Sequence, residues 1–591
     1  MKKGWINGIS LYHCEHNHKN ENFAVAEMIY MVYQQRMRWC IWFSLVCSSP
    51  VEASFTDDLA IGNAKALALG HAVTADPPGI DSIHFNPAGL ARLKARQFLV
   101  KFVAGDFSAT TYFGEYGDYQ QKILDDAAQF FLDADGNLSE EGKLFLYDEA
   151  YGHKSETAGP TVMTPGKGMQ DKSSAFGATG GASYNAPGSP FTFATSVYTP
   201  MMMGAHKEDD DPGRFFQQRS AFALLTYFSP SVGYEFSDTL SIGMAINLSY
   251  AGMGLEMPVR APNDGLFLIP TPYVSGLLCN ENGEPQFAEL DLCTSIPPYT
   301  QITTLKFEAS QNDAIGFNLG LLWSPKSWFT LGLSYNSGVK VKLDGEYDFP
   351  VNPPFEAFLV TFMGGEVWNT VVQATDALGF RLPSQAELLA QGSGEIKISY
   401  EIPQRFNAGI SLNLTPKWSY NFDIKWTEWS TFSDISLQFD KDIPLLALGN
   451  LVDTVGTGGA KGIKPNAVIY RLGLRDVAYW SMGTEYQATN NFSFRAGLQY
   501  RPSAVRNDSP NATVTLSEGY LYSLGGSYLF RNKSQIDFTF GYLQSEQFYP
   551  ACTAVGNDCD PVDVTYAPFQ GEDIQTEVTF LLFELSYSKY F

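Results

Sequence analysis

A chain of 591 residues carrying 43 Phe, 31 Tyr and 53 Gly has the length of several soluble domains or of one large membrane barrel. Its formal charge of −24 excludes the basic face that nucleic-acid binders need. No stretch after the N-terminal leader reaches the roughly 18 consecutive apolar residues of a spanning helix, which leaves alternating strands as the means of crossing a bilayer.

Residues 1–53 read as an upstream extension followed by a signal peptide. His13, Cys14, His16 and His18 imitate a metal cluster. They lie ahead of the signal and leave with it, so no metal is expected. Arg36-Met37-Arg38 supplies a basic start, Trp39 to Ser49 an apolar run, and Val51-Glu52-Ala53 a small-residue cleavage site before Ser54. An exported chain meets an oxidising compartment, so Cys279 with Cys293 and Cys552 with Cys559 are disulfide candidates.

Residues 54–96 form a segment of their own. No strand alternation appears there, yet Ile61, Leu67, Leu69, Ile80, Ile83, Phe85 and Leu90 need covering. Within it, Pro87 fixes its own φ and restricts Asn86, so the chain turns at Asn86-Pro87-Ala88.

From Gln97 onward, strand follows strand to the end of the chain. Phe492, Phe494, Ala496, Leu498 and Tyr500 alternate with Ser493, Arg495, Gly497, Gln499 and Arg501. The same period of two recurs in 418–427, 240–251, 329–335 and 536–542. These strands run to about ten residues or more, and aromatics mark the ends of their apolar faces, as in an outer-membrane barrel. The opposite faces hold Gly, Ser, Asn and the charges of Lys340, Lys342, Asp423, Lys425 and Arg495, which a dry sandwich core could not hold unpaired. Short turns near Asn185–Pro190 and Leu414–Lys417 alternate with long loops near 115–173, 257–303, 349–393 and 549–574. Counting strands between them predicts an all-β, transmembrane antiparallel barrel of about 14 strands over residues 97–591. The last strand ends at the aromatic Phe591, the kind of signal that a barrel-assembly machinery reads.

The N-terminal segment with its Asn86-Pro87-Ala88 tripeptide, together with Ile402 to Gly409, Lys425 to Phe432 and Phe494-Arg495-Ala496-Gly497, resembles the FadL/TodX outer-membrane transporters of hydrophobic compounds. The resemblance implies that residues 54–96 are a hatch held as a plug in the barrel lumen. It implies passive uptake of a long-chain fatty acid or a hydrocarbon by a monomer in the Gram-negative outer membrane, among outer-membrane lipid and lipopolysaccharide. Thr199-Pro200-Met201-Met202-Met203 ends the third strand. Pro200 cannot donate to a ladder, and methionine suits a greasy passage. The plain reading is a strand end with lipid-facing methionines, whereas in the resembled family a kink in this strand opens the wall sideways. A carboxylate ligand would want a lumen cation, for which Arg495, Arg501, Lys340 and Lys342 are candidates, unless lumen acids such as Asp423 already pair them.

No nucleophile elbow, phosphate loop or zinc pattern stands out, so neither an enzyme nor a cofactor is expected. The acidic stretch Asp133 to Glu141 starts like a calcium loop but carries Leu138 and Leu144 where Gly and Glu are needed. It reads better as an acidic outer turn. The alternatives to a plugged transporter are an open porin for polar solutes and a surface adhesin that uses the enlarged loops.

Overall fold

The alternating segments join into one antiparallel sheet that closes on itself as a barrel of 14 staves. The computed structural model describes residues 58–591, apart from 129–131, 133–134, 140–142, 144–145, 261–298, 300, 354–355, 358–359, 361–371, 374–375, 377–383, 390–391, 445, 448–463, 507–509, 513–517 and 560–567. The staves are β1 (Arg96–Tyr116), β2 (Ala175–Asn185), β3 (Phe191–His206), β4 (Arg219–Phe228 with Ser231–Ser237), β5 (Leu240–Arg260), β6 (Gln301–Lys326) and β7 (Phe329–Asn336 with Val339–Asp348). They continue as β8 (Gly394–Ile402 with Arg405–Thr415), β9 (Trp418–Thr427 with Asp434–Phe439), β10 (Ala467–Arg471 with Val477–Gln487), β11 (Phe492–Arg501), β12 (Gly519–Leu529), β13 (Ser534–Tyr549) and β14 (Glu572–Tyr590). Closure comes from β1 against β14, with Gln97 opposite Tyr590 and Phe113 opposite Ile574.

Two bands divide the wall. Around the lower band Phe98, Phe193, Ile246, Phe317, Leu333, Phe406, Ile424, Phe494 and Phe540 point outward and are exposed, as a lipid-facing belt requires. The same band is polar inside, where Asn318, Ser334, Asn421, Asp423, Lys425, Arg495 and Gln499 are buried. In the upper band the pattern reverses. Val341, Leu343, Tyr347, Ile396, Ile398, Tyr400 and Leu437 form an apolar interior with Met253, Leu255 and Phe307.

This reversal corrects the expectation for Lys340 and Lys342. Both are exposed, beside the buried Val341 and Leu343. Below the interruption at Ser337-Gly338 the outward set of β7 includes Leu333; above it the outward set is Lys340, Lys342, Asp344 and Glu346. A shift of one residue turns every side chain to the other face. It suits a stave that leaves lipid for water, where charges gain by facing out.

At the outer mouth, loops close over the barrel around Arg260, which is buried. Its guanidinium bonds the Asp148 carboxylate and the Pro568 carbonyl. The rings of Phe215, Tyr299 and Phe569 lie 4.4, 5.1 and 4.6 Å away. Cys552 and Cys559 are joined as a disulfide in the neighbouring loop. Cys279 and Cys293 lie outside the described residues, as do residues 1–57 and, in the acidic turn, Asp133, Glu140 and Glu141.

Candidate functional site

Residues 58–95 fold as short turns of helix, Ala64–Ala68, Gly79–Asp81, Ser82–Phe85 and Pro87–Arg92. None could persist alone, because helices this short do not cover their nucleation cost. They persist because the wall surrounds them. Leu67, Leu69, Ile80, Ile83, Phe85 and Leu90 are almost fully buried. Ala64 reaches β14 by donating its N–H to Ser586 and β13 by accepting from Thr539 at its carbonyl, and Asn86 reaches β6. The apolar residues that the sequence left uncovered are covered by the barrel interior.

The Asn86-Pro87-Ala88 corner is a set of interlocking bonds. Asn86 is extended at φ −163 and caps the Pro87–Arg92 turn, with its Oδ1 accepting from the Ala88 N–H at 3.2 Å. Its Nδ2 donates to the carbonyls of Thr74 at 2.7 Å and of Leu321 at 3.2 Å. The wall makes room with glycine. A Cβ on Gly320 would sit 2.1 Å from Asn86 Oδ1, and one on Gly243 would sit 2.2 Å from the Pro87 carbonyl carbon.

Buried charges tie the segment down. Asp58 meets His84 Nε2 at 2.7 Å, Arg405 at 3.0 Å and Lys425 at 3.2 Å. The short contact to a carboxylate places the imidazole proton on Nε2. Burial works against the Asp58 carboxylate, but Arg405, Lys425 and His84 outweigh it and hold its pKa well below the usual range. Burial pulls the His84 imidazole below its ordinary value despite the Asp58 bond, so the ring is neutral at pH 7. On the other flank, Asp81 bonds Asn63 at 2.7 Å, Lys101 of β1 at 3.0 Å and Ser196 of β3 at 3.3 Å.

Beside this cluster lies a small, partly open cavity of about 50 Å³. Its polar end carries His84, Arg405, Asn318 and Asn336; its apolar end carries Met201, Leu224, Val339 and Ile402. Tyr198 and Pro200 form the wall on the β3 side.

That wall is incomplete. Pairing between β2 and β3 runs from Asn185 opposite Thr192 to Gly180 opposite Val197, and then ends. On the other edge of β3, the register against β4 shifts between Tyr198 and Met201, where β3 carries an extra residue. Pro200 sits at the shift and has no N–H to offer. Among the described pairings, β3 regains a partner on its β2 side only at Ala205 and His206, opposite Pro160 and Gly159. Met201 turns into the apolar interior, while Met202 packs on the outer face of the wall.

Of the expected cations, Arg495 is buried and engaged by Glu485 and by Asp537, the latter at 2.7 Å. Arg501 bonds Gln499 at 2.8 Å and stands over the Tyr479 ring. Neither lines the cavity, and Lys340 and Lys342 face outward. Arg405 does line it. Sequence reading passed over this residue although it stood in the stretch Ile402-Pro403-Gln404-Arg405. The available signal was the period of two through Arg405, Asn407, Gly409 and Ser411, a polar lumen face opposite Phe406 and Ala408.

The profile of the family described as "Outer membrane protein transport protein (OMPP1/FadL/TodX)" matches residues 46–589. The long-chain fatty acid transport protein of Escherichia coli O6:H1 (strain CFT073) is 24% identical over 251 residues, 42% of this chain and 46% of that one. That of Escherichia coli K12 is 20% identical over 318 residues, 54% of this chain and 59% of that one. The chain thus spans about half the length of the curated relatives it matches. The crystal structure of a Pseudomonas aeruginosa FadL homologue superposes with a TM-score of 0.58 at 17% identity, covering 90% of this chain and 98% of that one. The toluene transporter TodX of Pseudomonas putida gives 0.51 at 14% identity, covering 90% and 99%. With the family profile over nearly the whole chain and a closed barrel belted by outward aromatics, the protein belongs to the OMPP1/FadL/TodX family of outer-membrane transport proteins.

Proposed function

We propose that the protein takes up long-chain fatty acids passively, and that residues 58–95 act as a hatch around which the ligand moves. The single observation that carries this reading is the amphipathic cavity between that segment and β3 to β8. Its methionine and aliphatic end suits an alkyl chain. Its Arg405 and asparagine end suits a carboxylate, because a guanidinium recognises carboxylate oxygens through charge-assisted bonds and amide N–H groups add neutral ones. The broken β2–β3 ladder lies against the same cavity, so Pro200 and Met201 mark the lateral exit in this proposal. The sequence of events is entry among the outer loops, capture in the cavity, movement of the hatch and departure through the wall. No energy input is required, since the ligand runs down its own gradient. The open-porin alternative is disfavoured by the apolar residues of 58–95, which are buried against the wall and would block free polar diffusion.

The test compares an acid with a hydrocarbon of equal length. In binding titrations of purified protein, Arg405→Gln should weaken palmitate about 10- to 100-fold, from the loss of a charge-assisted bond worth roughly 1.5–3 kcal/mol. Hexadecane binding should stay within about twofold. Equal palmitate affinity for wild type and R405Q would sink the carboxylate assignment.

A further inference from the structure

The stave beside the gap does something unusual for a barrel wall. Lys154–Glu156 pairs with β1 at Thr110 to Tyr112, and Ala175 resumes pairing at Gly105. Between these points the chain leaves the wall as a hairpin, Gly159–Thr164 against Gly168–Asp171. Gly159 and Pro160 first pair with His206 and Ala205 of β3, at the top of its open edge. The hairpin then lies across the outside of β3, β4, β5 and β6.

That it lies outside follows from side-chain parity. On β5, Ile242, Met244 and Ile246 face lipid and Asn247 and Ser249 face the cavity, so Tyr250, Gly252 and Gly254 face outward. Met163 and Met169 of the hairpin pack on this outward set, with Tyr250, Ala221, Ala223, Met202 and Leu225. Glycine seats it flush. A Cβ on Gly204 would meet the Thr161 carbonyl at 2.2 Å, and one on Gly254 would meet Met169 Cγ at 2.7 Å. Its polar hooks stand at the rim. Asp171 accepts from Arg219 of β4 at 2.8 Å, and the Met169 N–H donates to Glu308 of β6 at 3.2 Å, while within the hairpin Thr161 donates to Asp171 at 2.7 Å. Rim salt bridges of this partly exposed kind are worth about 1 kcal/mol or less, and the seam beneath them is mostly methionine and alanine, soft and featureless. A surface so hooked at its edges and greasy beneath is built to part.

We propose that the Gly159–Asp171 hairpin is an exterior shutter over the gap in the β2–β3 ladder, and that the seam under Met163 and Met169 receives the alkyl chain of the departing ligand before it enters the outer leaflet. The proposal rests on the lateral-exit reading given above. Swinging the hairpin away from Gly204 frees the β3 edge from Tyr198 to His206 and uncovers Met202, which continues the apolar surface that Met201 begins inside.

The test locks the hairpin to the wall. Met169→Cys with Gly254→Cys should form a disulfide on oxidation, since the sulfur introduced at position 169 would take the place of Met169 Cγ, 2.7 Å from where the new Cβ at position 254 would stand. Uptake of tritiated oleate by cells producing the oxidised double variant should fall at least tenfold and return on mild reduction, with wild type carried through both treatments. Oleate affinity of the purified oxidised variant should stay within twofold of wild type. Asp171→Ala, which removes the Arg219 salt bridge at the rim without a cross-link, should leave affinity unchanged and raise the initial uptake rate about two- to threefold. Wild-type uptake by protein whose cross-link is confirmed by mass, or an unchanged rate in D171A, overturns the shutter and leaves the cavity reading intact. Failure of the cavity reading shows elsewhere, as wild-type protein that does not bind oleate at all.

Discussion

Asp58 carries more of the arrangement than its size suggests. One carboxylate answers Arg405, Lys425 and the His84 imidazole, and so ties the start of the described chain to β8 and β9. Removing one partner of a buried ion pair leaves the others uncompensated, at a cost of about 3–5 kcal/mol. Asp58→Asn should therefore destabilise the protein by that order in thermal unfolding at pH 7. The sign with pH follows from the depressed pKa of the folded state. A carboxylate of this kind contributes fully above its unfolded pKa of about 3.9 and loses the contribution as pH falls through its folded value. The difference in stability between wild type and D58N should thus shrink as pH drops below about 4. A gap that is constant, or that widens in acid, contradicts the charged assignment. Asn86 works differently, through neutral bonds that satisfy the buried Thr74 carbonyl and join the corner to the β6 ladder at Leu321.

Among the elements, β3 carries an irregularity with a countable cause. Tyr198 opposes Thr226 and Met201 opposes Leu224, so β3 spends three steps where β4 spends two. Deleting Pro200 removes the surplus residue and the missing N–H together. The shortened strand should pair continuously with β4 and extend its ladder with β2 beyond Val197. Amide exchange at Tyr198 and Met201 should then slow by at least tenfold, and oleate uptake should fall by a similar factor. Unchanged uptake in a variant with slowed exchange would show that the gap is not the way out. The methionine run and the proline were legible in the sequence as a weak strand end. The hairpin that covers their outer side was not, because Met163 and Met169 meet β5 only after the chain has crossed three staves, and no local pattern reports such a contact.

The wall has two bands in series, one polar-lined with an apolar outside, the other apolar-lined with outward charges on β7 and the hairpin over β3 to β6. The strands and the outward aromatics could be read from period two, and their even number from short turns alternating with long loops. The need to cover Ile80, Phe85 and Leu90 could be read from apolar residues in a segment without alternation. The change of lining could not, because a one-residue slip at Ser337-Gly338 inverts every later assignment on that stave without altering its alternation. Lys340 and Lys342 were misplaced for this reason, and Arg405 was missed because its partners, Asp58 and the cavity wall, lie far off in sequence. In the proposed function the lining matters, since an apolar chamber under the outer loops would give a hydrophobic ligand a surface to follow from the mouth toward the cavity.

The account stands or falls on where the ligand rests. A crystal of the protein soaked with a fatty acid brominated at its terminal carbon gives the direct answer through anomalous scattering. The predicted result is a bromine peak among Met201, Leu224 and Ile402, with carboxylate density at Arg405. A bromine peak only on the outer belt of the barrel, with the cavity empty, would contradict it.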